Sequence, residues 1–332
     1  MKAAVRSPKK RVKILVSIDT EEDNWTATRE GIRIENIRAL PEAHEFMTGL
    51  GLRPTYFCDY PVASTPWSAE ILRGLNSSGQ CEIGAHLHPW NTPPLEEPFS
   101  DQNTMMKNLP ASLQQRKLET LSQALREVTG KSPVSFRAGR FGLDREGVRA
   151  LLALGYRVDS SVTPFVDWTE FSNGADHSEA PFSCYWLDGK SSIDQPAPGG
   201  SLFEVPISCG FTRHPFGWRG RVFKRLRHPM LRPLRLTGLG ARSGWLRRVV
   251  GSPETDELAD LLRLARCLIE QDVGYVHLFF HSPSLVPGYS PFVRTEADLA
   301  ELRARLAGFV EGVSQFADLE PMTIGEAAEA IG

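Results

Sequence analysis

Apolar runs of strand length alternate with helix-period segments along most of this 332-residue chain. That alternation restricts the fold more than any other feature. VKILVSI (12–18), PTYFC (54–58), CEIGAH (81–86), PVSFR (133–137), YRVDS (156–160), SLFEVPIS (201–208) and VGYVHLFF (273–280) read as seven strands. Helices fill the gaps. Gly51 stops the one that begins at ENIRAL, Pro66 opens one that Gly79 closes, and Asp144 caps one that Gly155 closes. Leu118, Leu121, Leu125 and Val128 step by three and four on a helix around 112–128. DELADLLRLARCLIEQ is amphipathic, and Thr295 with Asp298 forms a capping-box pattern for a helix reaching about Val313. Strands alternating with helices imply a parallel sheet covered by helices, either a barrel or an open doubly wound sheet. The polar strand ends favour the barrel. Asp19, His86, Arg137, Asp159 and His281 close strands one, three, four, five and seven. In a parallel barrel those ends share one rim, where active sites lie.

The composition is that of an ordinary globular protein, with 41% hydrophobic and 23% charged residues and a net charge of -2. Residues 1–10 read as a basic tail, and 11–332 as a single domain. No secretory signal or stretch of 18 apolar residues is visible. The five cysteines are odd in number and contain no CxxC pair, which argues against a disulfide framework and for a reducing, cytoplasmic compartment. No GxGxxG follows strand one, so a dinucleotide-binding fold is excluded.

EIGAHLHPW (82–90) brings two histidines to the end of a buried strand. Residues i and i+2 of an extended segment share a face, and His88 precedes a proline that favours extension. His86 and His88 can therefore converge. Two imidazoles, one carboxylate and an open position make a catalytic zinc-type site. SIDTEED (17–23) offers the carboxylates. Asp19 and Glu21 share a face there; one can bind a metal while the other accepts a proton from water. His281, in LFFHSPS, is placed to protonate a leaving group, and Arg137, in SFRAGRFG, to keep Asp19 ionised. Arg140 is an additional cation without an assigned target.

Taken in order, SIDTEED, GAHLHPW, FRAGRFG and LFFHS resemble the motifs of the NodB-like polysaccharide deacetylase family, over roughly residues 11–315. The resemblance implies a distorted seven-stranded β/α barrel and metal-dependent removal of acetyl groups from sugars. It implies Asp19 as base, Arg137 as its tether, His86 as a ligand and His281 as general acid. Two departures stand out. Thr20 follows Asp19 where the family has a second Asp, so the ligand moves to Glu21 by the strand-face argument, with Glu22 and Asp23 as rivals. Trp90 stands where the family has its second histidine, so His88 must substitute. These changes resemble the WalW-like branch linked to lipopolysaccharide and exopolysaccharide synthesis. One divalent metal, zinc first, is the expected cofactor, and an acetylated glycan the expected partner. Trp90, Phe141 and Trp168 are candidate sugar-stacking walls or core residues.

Between Glu204 and Glu254 no acidic residue occurs, while eleven Arg or Lys do. The segment at about 210–252 reads as a basic insertion. Phe223, Leu226, Met230 and Leu234 step at helical spacing, interrupted by Pro229 and Pro233. It is either a solvated insertion or, over 213–248, a surface for anionic lipid, which would place the protein peripherally at the inner face of a membrane. No nucleic-acid module is present, so no nucleic-acid partner is expected. A metal-free carbohydrate-binding protein on the same fold and a hydrolase of another small amide are the competing functions.

Overall fold

The computed structural model describes residues 9–227, 230–231 and 236–332. Most of the basic tail, together with Pro229, Pro233 and Leu234, lies outside the described residues. In chain order the elements are β1 (Lys10–Thr20), α1 (Leu40–Gly49), β2 (Thr55–Cys58), α2 (Tyr60–Ser64), α3 (Pro66–Ser77), β3 (Glu82–Leu87) and α4 (Ala111–Thr129). There follow β4 (Ser135–Ala138), α5 (Arg145–Ala153), β5 (Val158–Asp159), β6 (Tyr185–Leu187) and β7 (Leu202–Glu204). The basic insertion contributes β8 (Gly210–Phe211), α6 (Phe216–Leu226), α7 (Leu236–Arg242) and β9 (Arg248–Val249). The chain closes with α8 (Leu258–Glu270), β10 (Tyr275–His281), α9 (Glu296–Ser314), β11 (Ala317–Pro321) and α10 (Ala327–Ala330).

The seven expected strands form one parallel array in the order β10-β1-β2-β3-β4-β5-β7. Buried apolar residues of β1, β2, β4 and β10, such as Leu15, Phe57, Phe136 and Phe280, fill the core between sheet and helices. The ladder is not continuous from β7 to β10. Residues after β7 touch β10 through isolated bonds instead: Ser208 N–H donates to His277 O at 3.2 Å, and Tyr275 Oη donates to Pro206 O at 3.1 Å. The parallel sheet covered by helices is as expected, while the closure a barrel needs is carried by isolated bonds such as these.

Several helix signals act where the sequence puts them. The Asp144 side chain accepts from Gly147 N–H, and Thr295 and Asp298 exchange both capping-box bonds. Gly51, Gly79 and Gly155 all take positive φ. The first helix is shorter than its pattern: Glu35–Ala39 is a 3-10 turn, and α1 starts at Leu40 with Pro41 in its first turn. Two sheet strands were not expected. β6 pairs antiparallel with β7, and β11 pairs parallel with the first half of β1, leaving the second half to β2. YWL is too short to show a period, and ADLEP carries two acids and a proline, so neither reads as a strand.

The insertion folds as a β8–β9 hairpin with helices between its strands. The helical spacing of Phe223 and Leu226 ends with α6 at Leu226, ahead of the prolines; Met230 is 82% exposed.

Candidate metal and acid–base site

Parallel pairing brings the polar strand ends to one rim. Asp19 lies beside His281 across the β1–β10 ladder, and His86 beside Arg137 across β3–β4. The cleft above them has a volume of about 200 Å³. Asp19, Glu21, His86, His88 and His281 all line it. Asp159 does not: it ends β5 as expected but is fully buried, facing Glu204 rather than the rim cleft.

Glu21 is the acid that meets the histidines. Its Oε2 lies 3.4 Å from His86 Nε2 and 3.3 Å from His88 Nε2. The rivals are committed elsewhere. The Asp23 carboxylate accepts from Glu35 N–H, Asn36 N–H and the Asn36 amide. The Glu22 carboxylate accepts from Trp90 Nε1 at 2.7 Å, Asn91 Nδ2 at 2.9 Å and His88 Nδ1 at 3.0 Å. Glu22, Asp59 and His88 form a second close group of donor atoms. Asp59, however, caps α2 through Val62 N–H and accepts from Asn91 and Glu22 N–H.

Hydrogen bonds fix both imidazoles. His86 Nδ1 faces Arg137 O at 3.1 Å; a carbonyl only accepts, so Nδ1 carries the proton. His88 Nδ1 likewise donates to Glu22. Both Nε2 atoms face Glu21; burial pushes the His88 ring down, but the charges of Glu22 and Glu21 override it and raise it well above the usual imidazole range. Three electron-rich atoms within 4.8 Å of one another require a positive charge among them, either protons on the rings or a metal. The donor set, two nitrogens and one carboxylate oxygen with outer partners on both rings, fits a divalent transition metal.

Trp90, the residue in place of the second histidine, supports this arrangement. It is buried, stacks on the His88 ring at 4.1 Å and holds Glu22. Gly139, just after β4, leaves the room His88 needs: a Cβ there would lie 2.4 Å from His88 Cδ2. Lys117, fully buried on α4, donates to Pro89 O at 2.8 Å and Thr92 O at 2.7 Å, which anchors the loop after His88.

The acid–base half lies opposite. Burial pushes the Asp19 carboxyl upward, but the Arg137 cation at 2.5 Å, with His86 and His281, overrides it and holds Asp19 at about 2. Arg137 places four of its five N–H donors: besides Asp19 it donates to Ser17 Oγ, Ser160 Oγ and Ser160 O. His281 Nε2 sits 3.9 Å from Asp19 Oδ2. Burial pushes this imidazole down; Glu254, 2.9 Å from Nδ1, overrides it and raises His281 to about 10. At neutral pH the cleft therefore holds a carboxylate and an imidazolium face to face. Glu254 was missed in the sequence because it lies in an irregular loop, 27 residues before its partner.

The aromatic assignment changes. Trp168 does not line the cleft; its Nε1 donates to Thr163 and its ring stacks on Phe141. Trp90 and Phe141 border the cleft but are buried. The exposed rings at its mouth are Trp25 and Phe171, 43% and 49% exposed.

No protein-family model and no curated protein matches the sequence. Solved structures do. A chain from Mycobacterium smegmatis described as a candidate polysaccharide deacetylase has a TM-score of 0.55 at 16% identity, over 99% of this chain and 92% of that one. A candidate glycoside hydrolase/deacetylase from Parabacteroides distasonis has a TM-score of 0.59 at 14% identity, over 98% of this chain and 72% of that one. At these identities the similarity is one of fold.

Proposed function

We propose that the protein is a metal-dependent deacetylase of glycans, of the NodB-like type and its WalW-like branch. A single observation carries the reading: a carboxylate kept ionised by Arg137 faces an imidazolium kept charged by Glu254, directly beside two histidines whose Nε2 atoms converge on Glu21. Glu21, His86 and His88 are the ligands. A divalent ion held there, zinc by the donor set, supplies polarisation of the acetyl carbonyl and a lowered water pKa. Asp19 accepts the proton that the attacking water gives up. It is a weak base, suited only to an already acidic water. His281 gives its Nε2 proton to the sugar nitrogen or oxygen as the bond to the acetyl carbon breaks. Acetate and the free sugar group leave, and the two protons exchanged restore the site.

Residues 11–332 act as one domain in this reading, with substrates in cell-envelope polysaccharides or their lipid-linked precursors. A membrane-facing role for the insertion has support of a different kind. Among the described residues, five of the nine exposed large apolar side chains (Trp218, Met230, Leu231, Leu239 and Trp245) lie there, beside exposed Arg221 and Arg225. Not all of its cations are available: Lys224 pairs with Glu179, Arg227 with Glu170 and Arg247 with Asp260. No helix among the described residues is long and apolar enough to cross a membrane. Salt-sensitive pelleting with anionic vesicles checks this; equal binding to neutral vesicles removes it.

The test of the main reading is metal content by mass spectrometry, on the native protein and on His88→Ala, both prepared without chelator or a histidine tag. One ion per chain in the first and none in the second is expected, together with acetate release from acetylated glycans. No metal after reconstitution would leave a carbohydrate-binding role in its place.

A further inference from the structure

We propose that Arg140 forms an anion subsite at the mouth of the cleft, so that the glycan carries a charged oxygen substituent, carboxylate or phosphate, near its acetyl group. This rests on the deacetylase reading and names the substrate class of the same site.

Arg140 lines the cleft with Asp19 and His86. Its guanidinium lies between two rings, 4.9 Å from the centroid of Trp90 and 5.0 Å from that of Phe171. Two aromatic faces hold an arginine plane in place and leave its edge open. That edge is barely used. Nη1 donates to Thr104 Oγ1, and no other protein hydrogen bond to the side chain is found among the described residues. No carboxylate oxygen comes within 4.0 Å of it among them either. Of the anions whose charge acts on it, the exposed Asp101 comes first and forms no ion pair with it; Glu21 is engaged by the two imidazoles and Glu22 by His88, Trp90 and Asn91.

The contrast with Arg137, three residues earlier, is instructive. Arg137 spends its donors on Asp19, Ser17 and Ser160 and is fully buried. Arg140 is partly buried with no ion pair within 4.0 Å among the described residues, the exposed Asp101 acting on it from farther off, an arrangement that costs free energy unless a ligand completes it. The backbone adds to that cost. Arg140 and Phe141 both take left-handed conformations, at φ 55° and 57°, where side chains other than glycine are disfavoured. Strain of this kind persists where a position is held for a task. A rigid fork with open N–H edges matches two oxygens of one carboxylate or phosphate.

The experiment is calorimetric binding to the metal-loaded full chain. The probes are one acetylated oligosaccharide in three forms: with a uronic acid, with that acid reduced to the alcohol, and with a phosphate monoester in its place. The wild type is expected to bind an acidic form about 10- to 100-fold more tightly than the neutral one, the range of a charge-assisted pair. The form with the larger ratio identifies the substituent. In Arg140→Gln the ratio should fall below about 3, and in Arg140→Lys to an intermediate value, because the charge survives and the fork does not. If Arg140→Gln fails to fold by thermal melting, Arg140→Lys decides. Equal affinity for all forms, binding of none, or a ratio unchanged in the variants overturns the subsite. Acetate release is read separately. Selectivity without hydrolysis would refute the deacetylase reading and keep the subsite; hydrolysis of all forms alike would do the reverse.

Discussion

His88 and His281 make the same bond, and the roles proposed for them differ. Each gives its Nδ1 proton to a buried glutamate, Glu22 at 3.0 Å and Glu254 at 2.9 Å. The difference lies at the other nitrogen and in access. The His88 side chain is 6% exposed, and its Nε2 looks at Glu21 beside a second imidazole. The His281 side chain is 21% exposed, and its Nε2 looks across the cleft toward Asp19. A sealed ring whose Nε2 converges with a second imidazole on one carboxylate suits a cation. An accessible ring with a charge-stabilised proton suits exchange with a substrate. The dyad alone therefore does not define the role; the face opposite it does.

The largest effect should come from removing the ring itself. His88→Ala is expected to lose the metal outright, and His281→Ala to keep it while acetate release falls by about 10²- to 10⁴-fold. Metal content and turnover on the same two samples separate the dyads; metal loss in both would erase the distinction. Next comes the exchange of outer partners. Glu22→Gln should weaken metal affinity by about 10- to 100-fold, as for other outer-sphere carboxylates, measured by competition with a chromophoric chelator. Glu254→Gln should leave that affinity nearly intact and act on pH dependence instead. His281 in the fold titrates at about 10 rather than 6.5. Its pair with Glu254 thus contributes stability fully below pH 6.5 and loses it as pH rises through about 10. In Glu254→Gln the alkaline limb of kcat/KM should move well below 10, and the urea midpoint should lose its decline between pH 6.5 and 10. An unmoved limb would show that His281 is not the acid.

Gly139→Ala probes the packing beneath the metal half. The added methyl meets His88, so about 1–3 kcal/mol of stability and part of the metal affinity should go together in denaturant and chelator titrations. The smallest effect is expected at the open half. Trp25 touches His281 edge-on at 5.2 Å, and Trp25→Ala should raise KM by about fivefold, worth about 1 kcal/mol of ring contact, with little change in metal content.

The sequence made one half of this site far more legible than the other. Strand alternation put Asp19, Glu21, His86, Arg137 and His281 at one rim, because period-2 geometry is local and each residue ends an apolar run. The outer partners are not local. Glu254 reaches His281 from a loop, and Glu22 meets Trp90 and Asn91 only after β1 and β3 are in register with β2. Lys117 left a readable trace: it sits on the apolar face of α4 between Leu113 and Leu121, where a lysine is out of place. β6 and β11 left none, since their strand character comes from the neighbours they pair with.

β1 also has a consequence for synthesis. The residue just past its end is tied to a distant part of the chain: Glu21 N–H donates to Ser282 Oγ, 261 residues downstream. At about 5–20 residues per second, a ribosome delivers that partner roughly 10–50 s after the acids of SIDTEED emerge. During that interval the emerging chain carries Asp19, Glu21, Glu22 and Asp23 without the strand that closes the rim beside them. A cluster of unshielded carboxylates next to the apolar run VKILVSI is well suited to keep that strand from self-association until β10 arrives.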